Sequence, residues 1–189
     1  MRNLYMKIVL GGPPGSGKST VAKKLTEKYK LKYYSMGGMR REIAEERGLS
    51  IAELNATDEK EKDYKKTSDY EVDLKQIALN KSNENFVIEG RLCYHFITNA
   101  DIKIYLDVSM NEAVKRAMVY RPAERYENLE QAKKMLKERQ DSDSRRYKRL
   151  YKIKYPDPDK FDYIIDTTNL TIEQVFEKVD ELIKSKIKK

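Results

Sequence analysis

Gly12-Pro13-Pro14-Gly15-Ser16-Gly17-Lys18-Ser19-Thr20 has the residue types and spacing to hold a chain of phosphates. The pattern is G-x-x-x-x-G-K-[ST]. Gly15 and Gly17 let the backbone wrap closely, with its N–H groups turned inward. Lys18 is placed to bridge the β- and γ-phosphates of a nucleoside triphosphate, and the Ser19 hydroxyl to ligate Mg²⁺. Such a P-loop needs a strand before it and a helix after it. The apolar run Lys7–Leu10 supplies the strand. Val21, Ala22 and Leu25, at helical spacing, supply the helix, whose N-terminus adds positive potential. The loop alone does not separate a kinase from a GTPase or a motor.

A carboxylate at the end of a neighbouring strand is expected near the metal and its waters. Two residues compete. Glu89 ends Phe86-Val87-Ile88-Glu89, and Asp107 ends Ile104-Tyr105-Leu106-Asp107. Glu89 is preferred because Gly90-Arg91 follows it and suits a phosphate cleft. No Asn-Lys-x-Asp motif for reading guanine is present, and the chain is short for a motor. A small phosphoryl-transfer kinase remains.

Such a kinase must neutralise donor and acceptor phosphates in line, work that suits the planar donor fork of arginine. Arg40 and Arg41 follow the second strand and Arg91 the third. Arg116, Arg121 and Arg125 precede a long basic helix that carries Arg139, Arg145 and Arg146. Arg139, Asp143 and Arg146 share one face of that helix. The rival reading of this region is RNA binding, because Tyr147, Tyr151 and Tyr155 interleave with basic residues and could stack on bases.

Elements must position these groups. Strands are expected at residues 7–10, 31–35, 86–89, 102–108 and 161–166. Helices are expected at 17–29, 40–47, 111–120, 129–150 and 171–188. A capping box at Ser50 and Glu53 starts another helix. Residues 58–80 read as helical with a break near Thr67-Ser68. Alternation of strand and helix implies an α/β fold with a parallel sheet. The chain has 189 residues, 39% hydrophobic and 37% charged, with a net charge of +8. That suits one folded domain rather than a disordered chain. The basic tail, residues 184–189, reads as a solvated helix end. Cys93, the single cysteine, reads as a packed thiol and His95 as structural; one cysteine suits a reducing cytoplasm. No apolar run reaches membrane-spanning length.

Taken together, GGPPGSGKSTVAKKL, Tyr34-Ser35-Met36-Gly37 with Arg40, Arg47-Gly48-Leu49-Ser50, Asn85 to Leu92, Ile102 to Asp107, Lys137 to Tyr147 and Asp162 to Asn169 resemble the nucleoside monophosphate kinases. The resemblance is greatest to the cytidylate kinase family in its short archaeal and bacterial form. It implies a P-loop NTPase fold with a five-stranded parallel sheet and helices on both faces. One domain over residues 1–189 would carry a helical acceptor lobe at about 36–80 and a lid at about 120–150. It implies transfer of the ATP γ-phosphoryl group to CMP or dCMP with Mg²⁺; the alternative is a kinase for another acceptor, AMP, UMP or a small metabolite such as shikimate. By the same resemblance, Gly12 to Thr20 bind ATP, and Ser19 and Glu89 serve the metal. Ser35, Arg40 and Arg91 contact the acceptor nucleotide, Arg40 and Arg91 through its phosphate. Arg139 and Arg146 are lid arginines on the transferring group. Asp143 orients an arginine or touches the acceptor nucleoside, and residues 166–169 lie near adenine. A monomer working on small nucleotides, with neither membrane nor nucleic acid as partner, is expected. Residues 93–96 and 55–76 depart from the family's pattern.

Overall fold

The computed structural model describes residues 6–120 and 126–187. Five parallel strands, β1 (Lys7–Gly11), β2 (Lys32–Ser35), β3 (Phe86–Glu89), β4 (Ile102–Asp107) and β5 (Tyr163–Asp166), lie in the order β2-β3-β1-β4-β5. The helices among the described residues are α1 (Lys18–Tyr29), α2 (Met36–Glu46), α3 (Ile51–Lys60), α4 (Ser68–Lys81), α5 (Cys93–Phe96), α6 (Met110–Tyr120), α7 (Leu129–Tyr151) and α8 (Ile172–Ile187).

β1 is buried on both faces, which is why its sequence is a continuous apolar run instead of an alternating one. Ile8 and Leu10 join Val21, Leu25, Val179 and Ile183 in the core beneath α1 and α8. Val9, between them, joins Ile43, Leu54, Val72 and Tyr147 in the core on the other face. A smaller cluster of Val114, Ala117, Ala132 and Leu136 ties α6 to α7. Each fully buried aliphatic side chain contributes roughly 1.5–3 kcal/mol.

Strand order turns at β1, which has β3 on one side and β4 on the other. Ligands of open α/β sheets sit beyond the strands' carboxyl ends at such a switch point. Parallel register sets what meets there. Glu89 lies level with Leu10 on one side and Ser35 on the other, and Asp107 lies level with Asp166.

The helical boundaries depart from expectation in three places. α2 begins at Met36, not at 40, because the Ser35 hydroxyl accepts the Gly38 N–H at 2.9 Å and starts a helix through two glycines. The break expected near Thr67-Ser68 is present but reaches back to residue 61. α3 ends at Lys60, a 3₁₀ turn occupies Tyr64–Lys66, and Thr67 caps α4 by accepting the Tyr70 N–H at 3.3 Å. Side chains of Asp63 and Thr67 compete with helical hydrogen bonding there. The short α5 was not expected. The Ser50–Glu53 capping box is present, with bonds of 3.2 and 2.7 Å. No helix among the described residues is long and apolar enough to cross a membrane.

Candidate active site

The P-loop joins β1 to α1, with Gly12, Gly15 and Gly17 at φ of 137°, 81° and 88°. These angles lie in the region that glycine adopts readily and other residues rarely do. Gly12 also has no room for a Cβ, which would lie 2.0 Å from the Leu106 carbonyl oxygen. Pro13 and Pro14 lack N–H groups, so the loop's donors come from Gly15 onward. The Lys18 ammonium arches back over the loop and donates to the Pro13 carbonyl at 2.7 Å and the Ser16 hydroxyl at 3.3 Å. Thr20 is exposed in the first turn of α1.

Glu89 and Ser19 meet. The Ser19 hydroxyl donates to Glu89 Oε1 at 3.0 Å, the Tyr33 hydroxyl at 3.4 Å, and the Ser35 hydroxyl to the same oxygen. Asp107 turns away: its carboxylate accepts the adjacent Val108 N–H at 2.9 Å and is exposed. Ser19 and Glu89 offer the hard oxygen donors that suit Mg²⁺, an ion that takes few protein ligands and shares the rest of its shell with phosphates and water. No group of three or more His, Cys, Asp or Glu side chains among the described residues could hold a metal alone. Ser35 therefore has two jobs here, capping α2 and holding Glu89. Gly90 is required by packing, since a Cβ would sit 2.6 Å from Cys93 Sγ.

The arginines are drawn into one alternating row. Arg40 pairs with Asp58 at 2.9 Å and with Asp69 at 2.6 Å, and donates to Asn55 at 2.8 Å. Asp69 faces Arg146 Nε at 2.6 Å. Arg146 pairs with Asp143 at 2.8 Å, and Asp143 with Arg91 at 2.9 Å. The row thus runs Asp58–Arg40–Asp69–Arg146–Asp143–Arg91 and links α3, α2, α4, α7 and the turn after β3. Burial weighs against the charges of Arg91 and Arg146. Asp143 for Arg91, and Tyr147, Asp69 and Asp143 for Arg146, more than offset it and hold both guanidiniums above their ordinary pKa. Three buried guanidinium donors of the row, Arg40 Nε and Arg146 Nε and Nη1, make no hydrogen bond, although Arg146 Nε stands in ion-pair contact with Asp69. Arg40, expected at the acceptor's phosphate, is engaged in this structure by Asp58 of α3 and Asp69 of α4.

Other expected residues fall outside the row. Arg139 is half-buried on α7, one turn before Asp143. Arg145 and Ser142 hold Glu59, at 2.6 and 2.8 Å, and Arg149 donates to the carbonyls of Asp58 and Glu59 that end α3. Arg116 braces the loop: it donates to Gly15 O at 3.3 Å and Thr167 O at 2.7 Å, and pairs with Glu112 at 3.0 Å. Thr167 also donates to the Asp107 carbonyl at 2.8 Å, so the 166–169 turn lies against the P-loop. Pro13, Pro14, Leu136 and Gln140 line a cavity of about 110 Å³ between the loop and α7. Arg121 and Arg125 lie outside the described residues, as do the last two residues of the basic tail. Tyr147 and Tyr155 are buried, their rings 5.4 Å apart, which removes the stacking surface on which the RNA reading rested. Cys93 is buried and its thiol pKa is pushed well up by burial.

Sequence reasoning did not single out Asn55, Asp58 and Asp69, which hold Arg40, or Tyr33 on Glu89. Nor did it find Asp73, a buried carboxylate that accepts from the hydroxyls of Tyr64, at 2.6 Å, and Tyr151. The available signal was Asp69, Asp73 and Gln76 repeating at helical spacing.

A phosphate loop at a parallel sheet's switch point, a carboxylate beside its serine and a row of buried arginines define a P-loop kinase. Residues 7–169 match the model of the cytidylate kinase-like family, and the chain belongs to that family. The cytidylate kinase of Sulfurisphaera tokodaii is 39% identical over 90% of this chain and 91% of its own length. That of Methanocaldococcus jannaschii is 34% identical over 94% and 97%. Among solved structures, shikimate kinase from Bacteroides thetaiotaomicron superposes with a TM-score of 0.63 at 16% identity, covering 95% of this chain and 98% of that one. Shikimate kinase from Acinetobacter baumannii gives 0.57 at 22%, covering 97% and 95%. At those identities the likeness is one of fold.

Two outcomes follow from the buried charges. Asp69→Ala leaves two buried guanidiniums short of a counter-charge and should lower unfolding free energy by roughly 3–5 kcal/mol in urea melts; a loss below about 1 kcal/mol contradicts the row's importance. Burial pushes the Asp73 pKa up to about 6 despite its two tyrosine donors. Its carboxyl thus binds a proton more tightly in the folded chain than in the unfolded one, whose pKa is about 3.9. That contribution favours folding below about pH 4 and is lost as the pH rises through about 6. Asp73→Asn does not titrate, so its stability relative to the unmodified chain should rise from pH 4 to pH 7. A difference independent of pH contradicts the assignment.

Proposed function

We propose that this chain transfers the γ-phosphoryl group of ATP to CMP or dCMP, giving ADP and the corresponding cytidine diphosphate. The observation that carries this reading is the buried arginine row beside a complete P-loop, with donors of Arg40 and Arg146 still unpartnered. Membership of the cytidylate kinase-like family supports the cytosine acceptor.

The roles follow from charge. Backbone N–H groups from Gly15 onward and the Lys18 ammonium hold the β- and γ-phosphates. Lys18 exchanges its contacts to Pro13 and Ser16 for phosphate oxygens. Ser19 and Glu89 would hold Mg²⁺, directly or through its waters, and the ion would supply neutralisation of charge on the donor phosphates. Arg40, Arg91 and Arg146 take the acceptor's phosphate, each trading a carboxylate oxygen for a phosphate oxygen. Asp143 orients Arg91 and Arg146. The acceptor oxygen is already anionic, so the reaction needs positioning and charge stabilisation more than a general base. Arg139 and Arg146 offset charge on the transferring group. One domain carries the whole site, with the acceptor lobe at 36–80 and the lid at 120–150. Closure of the lid excludes water, so that phosphate goes to the nucleotide.

A coupled assay of ADP release across CMP, dCMP, UMP, AMP and shikimate tests the acceptor. CMP or dCMP should exceed the others; equal activity with AMP or shikimate overturns the cytidine assignment. Lys18→Ala should abolish turnover. Arg139→Ala and Arg146→Ala should each lower kcat by roughly 10²–10³-fold with little change in ATP affinity. Near-normal turnover in both arginine variants, with folding verified by thermal melts, overturns their roles.

A further inference from the structure

A second basic cavity lies away from the P-loop, near the start of β4 and beneath the C-terminal end of α7. Lys103, Lys152, Lys154, Lys160, Tyr94 and His95 line about 370 Å³ of space. Asp157 is the one acidic residue in its wall. None of these residues belongs to the arginine row or to the Glu89 contacts.

Four observations bear on what the cavity takes. First, its charge is unbalanced: four lysines face one aspartate, and neither Lys154 nor Lys160 has an ion-pair partner among the described residues. Second, Tyr94 is 7% exposed, and its hydroxyl is buried with no hydrogen-bond partner. A buried donor left unfilled costs about 1–3 kcal/mol unless something arrives to accept from it. Third, Lys103 is already fixed, its ammonium donating to the Tyr94 carbonyl at 3.1 Å, so one cationic wall is preformed. Fourth, Lys152 ends α7 at φ 61°, where glycine would be the unstrained residue. Its side chain stands at the cavity's rim, the ammonium donating to the Arg149 carbonyl at 3.3 Å.

We propose that this cavity is a second anion site, which takes a compact polyphosphate: a di- or triphosphate, inorganic or as the tail of a nucleotide. Lysine ammoniums act as point charges for phosphate, and the phenol of Tyr94 supplies a directed donor. A single carboxylate would leave most of the positive charge uncompensated, whereas a triphosphate matches it. The space is of the size that small ligands occupy. Extended single-stranded RNA does not fit the same surface, because Tyr147 and Tyr155 are packed inside and offer no stacking face.

Calorimetric titration of the full chain with sodium tripolyphosphate at physiological ionic strength tests the site, with the His95 ring resonances followed by NMR. His95 is the only histidine, so its signal reports the cavity without overlap. Two equivalents should bind, one of them shifting His95. Lys18→Ala should remove the other equivalent and leave the His95 shift. The triple variant K152E/K154E/K160E should remove the His95-linked equivalent, yet keep the P-loop equivalent and the basal kinase rate. Tyr94→Phe should weaken that same equivalent several-fold. CTP and ATP in place of tripolyphosphate separate the two sources: a His95 shift with nucleotide points to a nucleotide tail, and a shift with tripolyphosphate alone points to an inorganic ligand. A single equivalent abolished by Lys18→Ala, or a second that survives the triple charge reversal, overturns the proposal. Since the kinase rate is read separately, failure here leaves the cytidine kinase reading standing, and the converse also holds.

Discussion

Three aspartates and three arginines, alternating from Asp58 to Arg91, hold the two halves of the site together. Each charge is taken out of water, and each is tolerable only because its neighbours in the row are of opposite sign. Five segments of chain are bound by this condition. α2, α3 and α4 on one side cannot move far from α7 and the β3 turn without exposing an unpaired charge to a low-dielectric interior. The row therefore fixes where Asp143 stands on α7 and where Arg91 stands two residues beyond Glu89.

The same row explains how a site can be desolvated before its ligand arrives. Arginines that face water must shed it when a phosphate binds, and that reorganisation weakens their effect. Arginines already buried against carboxylates exchange one anion for another, which costs less reorganisation. In the proposed reaction, the unfilled donors on Arg40 and Arg146 would give the incoming phosphate a place to begin. Glu89 gathers a comparable set of contacts beside the P-loop. Hydroxyls of Ser19, Ser35 and Tyr33 converge on one of its oxygens, so a single carboxylate joins the P-loop helix, the second strand and the start of α2.

What was legible in the sequence is what short-range chemistry dictates. The P-loop is written in nine consecutive residues, and the strand and helix around it follow from local apolar spacing. Glu89 could be placed because a strand's end is a local feature, and Asp143 with Arg146 because helical spacing puts them on one face. The partners of Arg40 were not legible. Asp58 and Asp69 lie 18 and 29 residues away in a segment whose helices are broken by side-chain caps, and no local pattern joins them to Arg40. Tyr147, Tyr151 and Tyr155 misled for a related reason. Their spacing equally describes a stacking surface and a buried ridge, and only the packing of α7 against the sheet decides for the ridge.

The proposed exchange of carboxylate for phosphate along the row is tested most directly by NMR of the arginine Nε–Hε groups during titration with CMP, in the absence of ATP. Resonances of Arg40, Arg91 and Arg146 are expected to move together and saturate at one CMP per chain, while cytidine, which lacks the phosphate, leaves them in place. Saturable CMP binding with all three resonances unmoved would contradict it.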